Sequence, residues 1–374
     1  MDVRQPAVDS GSGHCRWPTP ALGYPGSVGR LAILAPFGVP SVRGNSVTVE
    51  RVTRGLRERG ADLQVWDISA TGEAAIVRDV EAYRPALVHA FHAHRTGPLA
   101  LRLARRLEVP LVVTLTGTDA NHDLLDPERA PLVRRVLEGA SAITAFHASI
   151  VEHVAAVLPD TRARFVVVPQ SVRFAAGTPF DLGARWPLPA DRLLFAFPAG
   201  IRPVKAPRVP LKPLDRLAAA EPRLRLVYVG PVIDPEEGEA LRRELASRPW
   251  ACHLGAVPHA QMASLLAQAD VVLNCSVSEG GMANAVLEGL ALARAVLASA
   301  IPGNRSLVKD DVTGLLFRDA RELGAQAERL VRDPALRARL GRAGRALVER
   351  EFPVEREVNG YLTVYHRLVP VVSA

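Results

Sequence analysis

Two glutamates bracket the run of the chain richest in residues that could do chemistry, Ser276-Val277-Ser278-Glu279-Gly280-Gly281-Met282-Ala283-Asn284-Ala285-Val286-Leu287-Glu288. The apolar stretch 271–274 before it reads as a strand, and the pattern after it reads as a helix beginning near Met282. Gly280 and Gly281 have no side chain, so their backbone can approach a ligand closely. The amides of Gly280, Gly281, Met282, Ala283 and Asn284 lie at the mouth of that helix, where N–H groups without intrahelical partners and the helix dipole attract a phosphate. Glu288 lies about six residues into the helix, roughly 9 Å along its axis. A diphosphate held at the helix start then has a carboxylate at either end, one able to accept hydrogen bonds from a sugar and the other from a ribose. The plainer reading of the same spacing is a glycine-rich turn with two solvated glutamates.

A second cluster, Pro198-Ala199-Gly200-Ile201-Arg202-Pro203-Val204-Lys205, follows the predicted strand 193–197. Two cations at the carboxyl end of a strand can neutralise a diphosphate leaving group without a metal, where charge develops in the transition state. A pair of surface basic residues is the alternative in so arginine-rich a chain. In the first half, Arg43-Gly44-Asn45-Ser46-Val47-Thr48 opens a helix, with Asn45 or Ser46 also a natural cap. His89-Ala90-Phe91-His92-Ala93-His94-Arg95 closes another predicted strand. On an extended strand His92 and His94 share a face and His89 points to the other, a poor arrangement for zinc; a buried, hydrogen-bonded histidine is the alternative. Thr116-Gly117-Thr118-Asp119-Ala120-Asn121-His122-Asp123 imitates the start of a calcium loop. Leu124 and Ala130 replace the glycine and glutamate that such a loop needs, so substrate contacts or a capped turn remain. No metal site and no cofactor are expected, and no serine nucleophile elbow is present.

Loops of this kind need a frame. Strands are predicted at 31–35, 63–66, 87–91, 111–115, 142–146 and 165–168, and again at 193–197, 226–229, 251–254, 271–274 and 295–298. Helical patterns separate them, at 46–59, 74–82, 96–107, 131–137 and 150–157, then 211–220, 235–247, 259–267 and 283–292. Helices at 320–332, 335–349 and 354–368 end the chain. Nearly continuous apolar, β-branched strands alternating with helices mark parallel sheets covered on both faces. The expected fold class is α/β, with two doubly wound domains facing a central cleft, where the carboxyl ends of the strands place one shared site. Residues 1–29, rich in Pro, Gly and Ser, are expected to be a disordered leader. Residues 30–172 form the first domain and 190–352 the second, and 353–374 carry a last helix after the redirecting Pro353.

Composition narrows the function. The chain has 374 residues, 48% hydrophobic and 23% charged, which suits two globular domains. No apolar run is long enough to span a membrane. The three cysteines, Cys15, Cys252 and Cys275, are scattered and form no Cys-x-x-Cys pair, which points to a reducing cytoplasm. The net charge of +7 raises the question of nucleic acid. The basic residues are spread along helical faces with no interleaved aromatics on which bases could stack, so no nucleic-acid partner is expected.

Taken in order, these motifs, with Pro302-Gly303-Asn304 and Val312-Thr313-Gly314-Leu315-Leu316-Phe317, resemble glycosyltransferase family 4, the retaining glycosyl transferases group 1 of the GT-B fold with two Rossmann-like domains. The likeness is greatest to the glycosyltransferase 1 domain-containing proteins, more distantly to selenosugar synthases, and spans residues 30–366. It implies a nucleotide-sugar donor, UDP-linked, on the second domain and an acceptor on the first, with retention of anomeric configuration and no metal. By the same likeness Glu288 binds the ribose, and Arg202 and Lys205 the diphosphate. Glu279 with the amides of residues 280–283 holds the transferred sugar, and His92 reaches it from the other domain. Gly44, Asn45, Thr48, Arg95, Thr118 and Asp119 fall on the acceptor and phosphate side. The last helix crosses back onto the first domain. Eight residues separate the two glutamates where the family has seven, and Arg202 and Lys205 are closer together than is usual. Other reactions on the same fold, a selenosugar or thiosugar synthase or a sugar-nucleotide epimerase, and a catalytically silent nucleotide-sugar-binding protein, are the alternatives. The sugar, the acceptor and the oligomeric state are not legible.

Overall fold

The computed structural model describes residues 28–37, 44–174, 177 and 179–369. The expected leader lies outside them except for residues 28 and 29, as does Arg43. The first domain is built on a parallel sheet of β1 (Leu31–Ala35), β2 (Leu63–Asp67), β3 (Leu87–Phe91), β4 (Leu111–Thr114), β5 (Ala142–Ala145) and β6 (Phe165–Val167), in the order β2-β1-β3-β4-β5-β6. The second is built on β7 (Leu193–Pro198), β8 (Leu224–Val229), β9 (Ala251–His253), β10 (Val271–Asn274), β11 (Ala295–Ser299) and β12 (Leu315–Phe317), in the order β12-β11-β10-β7-β8-β9.

Side chains alternate across each strand, and both faces are apolar because both are covered. Leu31, Ile33 and Ala35 of β1 pack on one side of the first sheet with Val49, Val52 and Leu56 of the helix Gly44–Glu58. Ala32 and Leu34 pack on the other with Ile76, Val80, Leu103 and Val136. In the second sheet Phe195, Leu226, Leu273 and Leu297 face Leu214, Leu241 and Leu323, while Ala196, Val227, Val272 and Val296 face Leu265, Val286 and Leu290.

Strand order decides where the site can form. In the second sheet the chain reverses direction of growth between β7 and β10, which pair as Val271 with Phe195 and Val272 with Ala196. Loops leaving those two strands therefore diverge and open a crevice, the place where doubly wound sheets bind ligands. The loop after β7 carries Arg202 and Lys205, and the loop after β10 carries Glu279. The first sheet has its own reversal between β1 and β3, whose following loops carry Asn45 and His92.

The last helix, Val354–Leu368, lies on the first sheet, with Val358, Tyr361, Leu362 and Tyr365 in the same apolar layer as Leu31, Ile33 and Phe91. Two polar contacts fix it inside that layer. Arg51 Nε and Nη2 donate to the Glu357 carboxylate at 2.8 and 2.9 Å, and Ser171 Oγ adds a bond to Glu357 Oε2 at 2.5 Å. His89 bridges Tyr365 (2.8 Å) and Thr114 (2.7 Å), and burial pushes its pKa down to about 3, so it is neutral.

Several helix bounds coincide with the sequence pattern, among them Leu211–Ala220, His259–Ala267, Ala320–Arg332 and Val354–Leu368. Three differences stand out. The helix expected from Met282 begins at Asn284, because Gly280 to Ala283 are drawn into a loop against the first domain. Leu315–Phe317 is an edge strand too short for a periodicity to show. Asp119–Asp123, read as a polar loop or turn, winds into a single π-helical turn around the buried Asp119 carboxylate.

Replacing Glu357 with Ala leaves a buried guanidinium without its carboxylate. Unfolding in urea is expected to show a loss of about 3–5 kcal/mol; a loss under about 1 kcal/mol would mean that water replaces the carboxylate.

Candidate active site

The two sets of strand ends face each other across a cleft of about 1020 Å³. Its second-domain wall is made by Gly200, Arg202 and Lys205 after β7, His259 after β9, and Glu279, Gly280, Met282, Ala283, Asn284 and Glu288 after β10. Its first-domain wall includes Asn45, Thr48, His92, His94, Arg95, Thr118, Asn121 and Arg129.

On the second domain one carboxylate organises the loop. Glu279 Oε1 accepts from Lys205 Nζ at 2.5 Å, Ser276 Oγ at 2.6 Å and Asn274 Nδ2 at 3.2 Å. Burial favours its neutral form, but the charge of Lys205 and these hydrogen bonds outweigh that and hold its carboxyl below the usual range. Asn274 is fixed in turn by Asn304, whose Nδ2 donates to Asn274 Oδ1 at 3.1 Å and to the Ser299 carbonyl at 3.0 Å. The chain thus uses the polar residue closing an apolar strand, and the Pro302-Gly303-Asn304 motif, to aim Glu279. Its ammonium partner has three N–H groups, so Lys205 retains donors for an anion in the cleft.

Glu288 lies just over one turn into the helix Asn284–Ala291, in reach of the cleft, and accepts from His259 Nε2 at 2.9 Å. That bond raises the His259 pKa despite the opposing effect of burial. Ala283, at the N-cap, offers no side-chain acceptor to the first turn of this helix. The anion-attracting end is therefore not capped from within.

On the first domain, β3 ends at Phe91, so the strand-face argument applies to His89 alone. His92 and His94 lie in the turn that follows. His92 has φ +87°, a conformation few non-glycine residues adopt, and its backbone N–H donates to the Thr114 carbonyl at 2.9 Å. Its Nδ1 accepts from the Arg95 N–H at 3.3 Å, which puts the proton on Nε2, 2.9 Å from Thr118 Oγ1. Burial drives the imidazole toward neutrality against the pull of Asp119 and Asp123. Arg95 lies over the Phe37 ring at 5.1 Å.

Not every expected residue reaches the cleft. Asp119 is fully buried and accepts from the backbone amides of Ala93, Thr116, Gly117 and Ala120, so it shapes the loop and does not line the cavity. Gly44 opens the helix Gly44–Glu58, while Asn45 and Thr48 line the wall. Gly281, with φ +108°, is turned toward His147 of the first domain and is not in the lining. Met282 lines the cleft with its side chain almost wholly buried, its sulfur accepting from the Gln170 N–H at 3.2 Å. His259 and Arg129 are not singled out by the sequence, and Asn121 only within the Thr116–Asp123 run, where substrate contacts and a capped turn both stand. His259 does carry a usable signal, as the first residue of a helix that follows a strand of the second sheet. Among the described residues no group of three or more His, Cys, Asp or Glu side chains is placed to hold a metal.

Two Rossmann-like domains sharing a cleft at the switch point of the second sheet define the GT-B class. A family model described as "Glycosyl transferases group 1" matches residues 192–333, and one described as "Glycosyl transferase 4-like domain" matches residues 19–170, starting inside the expected leader. The chain belongs to the group 1 glycosyltransferases. It is 26% identical over 329 residues to a glycosyltransferase 1 domain-containing protein 1 of Xenopus tropicalis, covering 86% of this chain and 93% of that one. It is 29% identical over 383 residues to a D-inositol 3-phosphate glycosyltransferase of Frankia alni, covering 95% and 93%. Among solved structures it resembles Anabaena HepE in complex with UDP-glucose, with a TM-score of 0.68, 16% identity, and coverage of 90% of this chain and 99% of that one. No helix among the described residues is long and apolar enough to cross a membrane.

Because the His259 pKa is raised, its pair with Glu288 contributes fully below histidine's ordinary value and is lost as pH climbs through the raised one. His259→Ala is therefore expected to lower the thermal midpoint more at about pH 5.5 than at about pH 8.5. Equal decrements at both would mean that His259 does not change charge between them.

Proposed function

We propose that the chain transfers a sugar from a UDP-sugar to a hydroxyl-bearing acceptor, with retention of anomeric configuration and without a metal ion. The observation that carries this reading is the convergence of Arg202, Lys205, the mouth of the helix Asn284–Ala291 and Glu288 on one cleft wall. Cations and a helix mouth suit a diphosphate, and a carboxylate further along suits the vicinal hydroxyls of a ribose. A solved structure of this fold in complex with UDP-glucose supports a UDP-sugar as the donor.

In this reading retention comes from displacement on one face of the sugar. The bond from the anomeric carbon to the diphosphate oxygen breaks as the bond to the acceptor oxygen forms on the same face. The acceptor's proton passes to the departing phosphate, so no protein base is needed. Arg202 and Lys205 take the place of a divalent ion in stabilising the negative charge that grows on the leaving group. His92 supplies a neutral hydrogen-bonding group beside the sugar. A cation there would oppose the positive charge that builds at the anomeric carbon. The acceptor lies against Asn45, Thr48, Arg95 and Thr118. With a charged, nucleotide-linked donor, we place the reaction in the cytoplasm.

Titration calorimetry with UDP tests the site, and release of UDP from a UDP-sugar tests the reaction. Arg202→Ala and Lys205→Ala are each expected to lower turnover by roughly 10²–10³-fold. Glu288→Ala is expected to weaken UDP binding by about 10-fold or more, as a lost charge-assisted hydrogen bond would. A folded protein that takes up no UDP, or two cation variants with unchanged turnover, would defeat the reading.

A further inference from the structure

The loop bearing Glu279 is held from both domains. Its own domain takes the carboxylate, through Lys205, Ser276 and Asn274. The first domain takes the backbone. Asn121 Nδ2 donates to the Glu279 carbonyl oxygen at 2.8 Å, across the cleft. Beside that bond the two backbone segments touch with no side chain between them. A Cβ on Gly280 would lie 2.3 Å from the Thr116 carbonyl oxygen and 2.6 Å from Gly117 Cα, closer than any real contact. Asn121 is itself fixed, because its N–H donates to the Gly117 carbonyl at 2.9 Å and its turn is wound on the buried Asp119 carboxylate.

We propose that Asn121 is a positioning residue for the transfer step: by gripping the Glu279 peptide when the domains close, it sets the carboxylate and, through it, the Lys205 ammonium. The inference rests on the cleft being the transfer site. The donor loop then has its working geometry only when the first domain lies against it, and the bare glycines on either side make that approach possible. Binding of the nucleotide needs neither contact, since its groups lie within the second domain. The chemical step needs both.

The test separates positioning from acceptor contact, because Asn121 also lines the cleft. Asn121→Asp keeps the shape but sets a carboxylate oxygen against the Glu279 carbonyl. UDP affinity is expected to stay within about twofold of the parent, while transfer and acceptor-free hydrolysis of the UDP-sugar fall together by about 10–100-fold. Gly280→Ala, which obstructs the approach through a Cβ and not through charge, is expected to lower transfer and hydrolysis together in the same way. Hydrolysis unchanged in both variants, or an effect confined to the acceptor KM, would overturn the inference. If the parent neither binds UDP nor releases it from a UDP-sugar, the reading of the cleft fails first; if the parent does both and the variants match it, only the role of Asn121 fails.

Discussion

The site depends on keeping a carboxylate ionised where burial would neutralise it. Glu279 is enclosed, and enclosure alone raises a carboxyl pKa. Lys205 at 2.5 Å, with the hydroxyl of Ser276 and the amide of Asn274, reverses that tendency. The pair is costly to dismantle by halves, because removing either partner strands a charge in a poorly solvated place. It therefore fixes two residues of opposite sign on loops from two different strands. Asn304, Ser299 and Asn274 extend the same network beneath the loop, so that the conformation of one glutamate is set by three successive strand ends. One of only three lysines in the chain is committed to this place.

A cleft between two domains also needs a frame that returns the halves to the same relation. The final helix supplies it. It leaves the second domain and lays Val358, Tyr361 and Tyr365 on the first sheet, and Glu357 receives hydrogen bonds from Arg51 and from Ser171. Ser171 adjoins Gln170, whose N–H meets Met282 of the donor loop at 3.2 Å. The segment that joins the domains is thus tied on one side to the crossing helix and on the other to the ligand loop.

Most of the frame was legible because its physics is local. Alternation along β1, the continuous apolar run of β10 and the 3.6-residue pattern of 320–332 are properties of short segments, and they gave strands and helices in nearly their observed places. Glu288 and the Arg202–Lys205 loop could be found for a related reason, since strand-end loops in doubly wound sheets converge by topology. What could not be read depends on partners distant in the chain. Asn121 meets Glu279 across 158 positions and His259 meets Glu288 across 29. Asp119 was misassigned because its composition suits ligand binding as well as loop building. Only the four backbone amides converging on it decide between them. The start of the helix at Asn284 was missed because the competing force on Gly280 and Gly281 is contact with the other domain.

In the proposed reaction Arg202 and Lys205 stand at the second-domain wall, against the group that becomes more negative as the bond breaks. The buried imidazole nearest the first-domain loops is held neutral, and the aspartate behind it is occupied by backbone amides. A protonated His92 would repel the carbon that becomes positive, and a free carboxylate in the place of Asp119 would compete for Lys205 and Arg202. Burial of the histidine and enclosure of the aspartate remove both conflicts without removing either residue's hydrogen bonds. The strained backbone at His92, φ +87°, is then the consequence of turning the ring toward Thr118 while its N–H stays on the Thr114 carbonyl. The fold tolerates that strain because β3 precedes the turn, the helix Gly97–Leu107 follows it, and Asp119 accepts the Ala93 N–H between them.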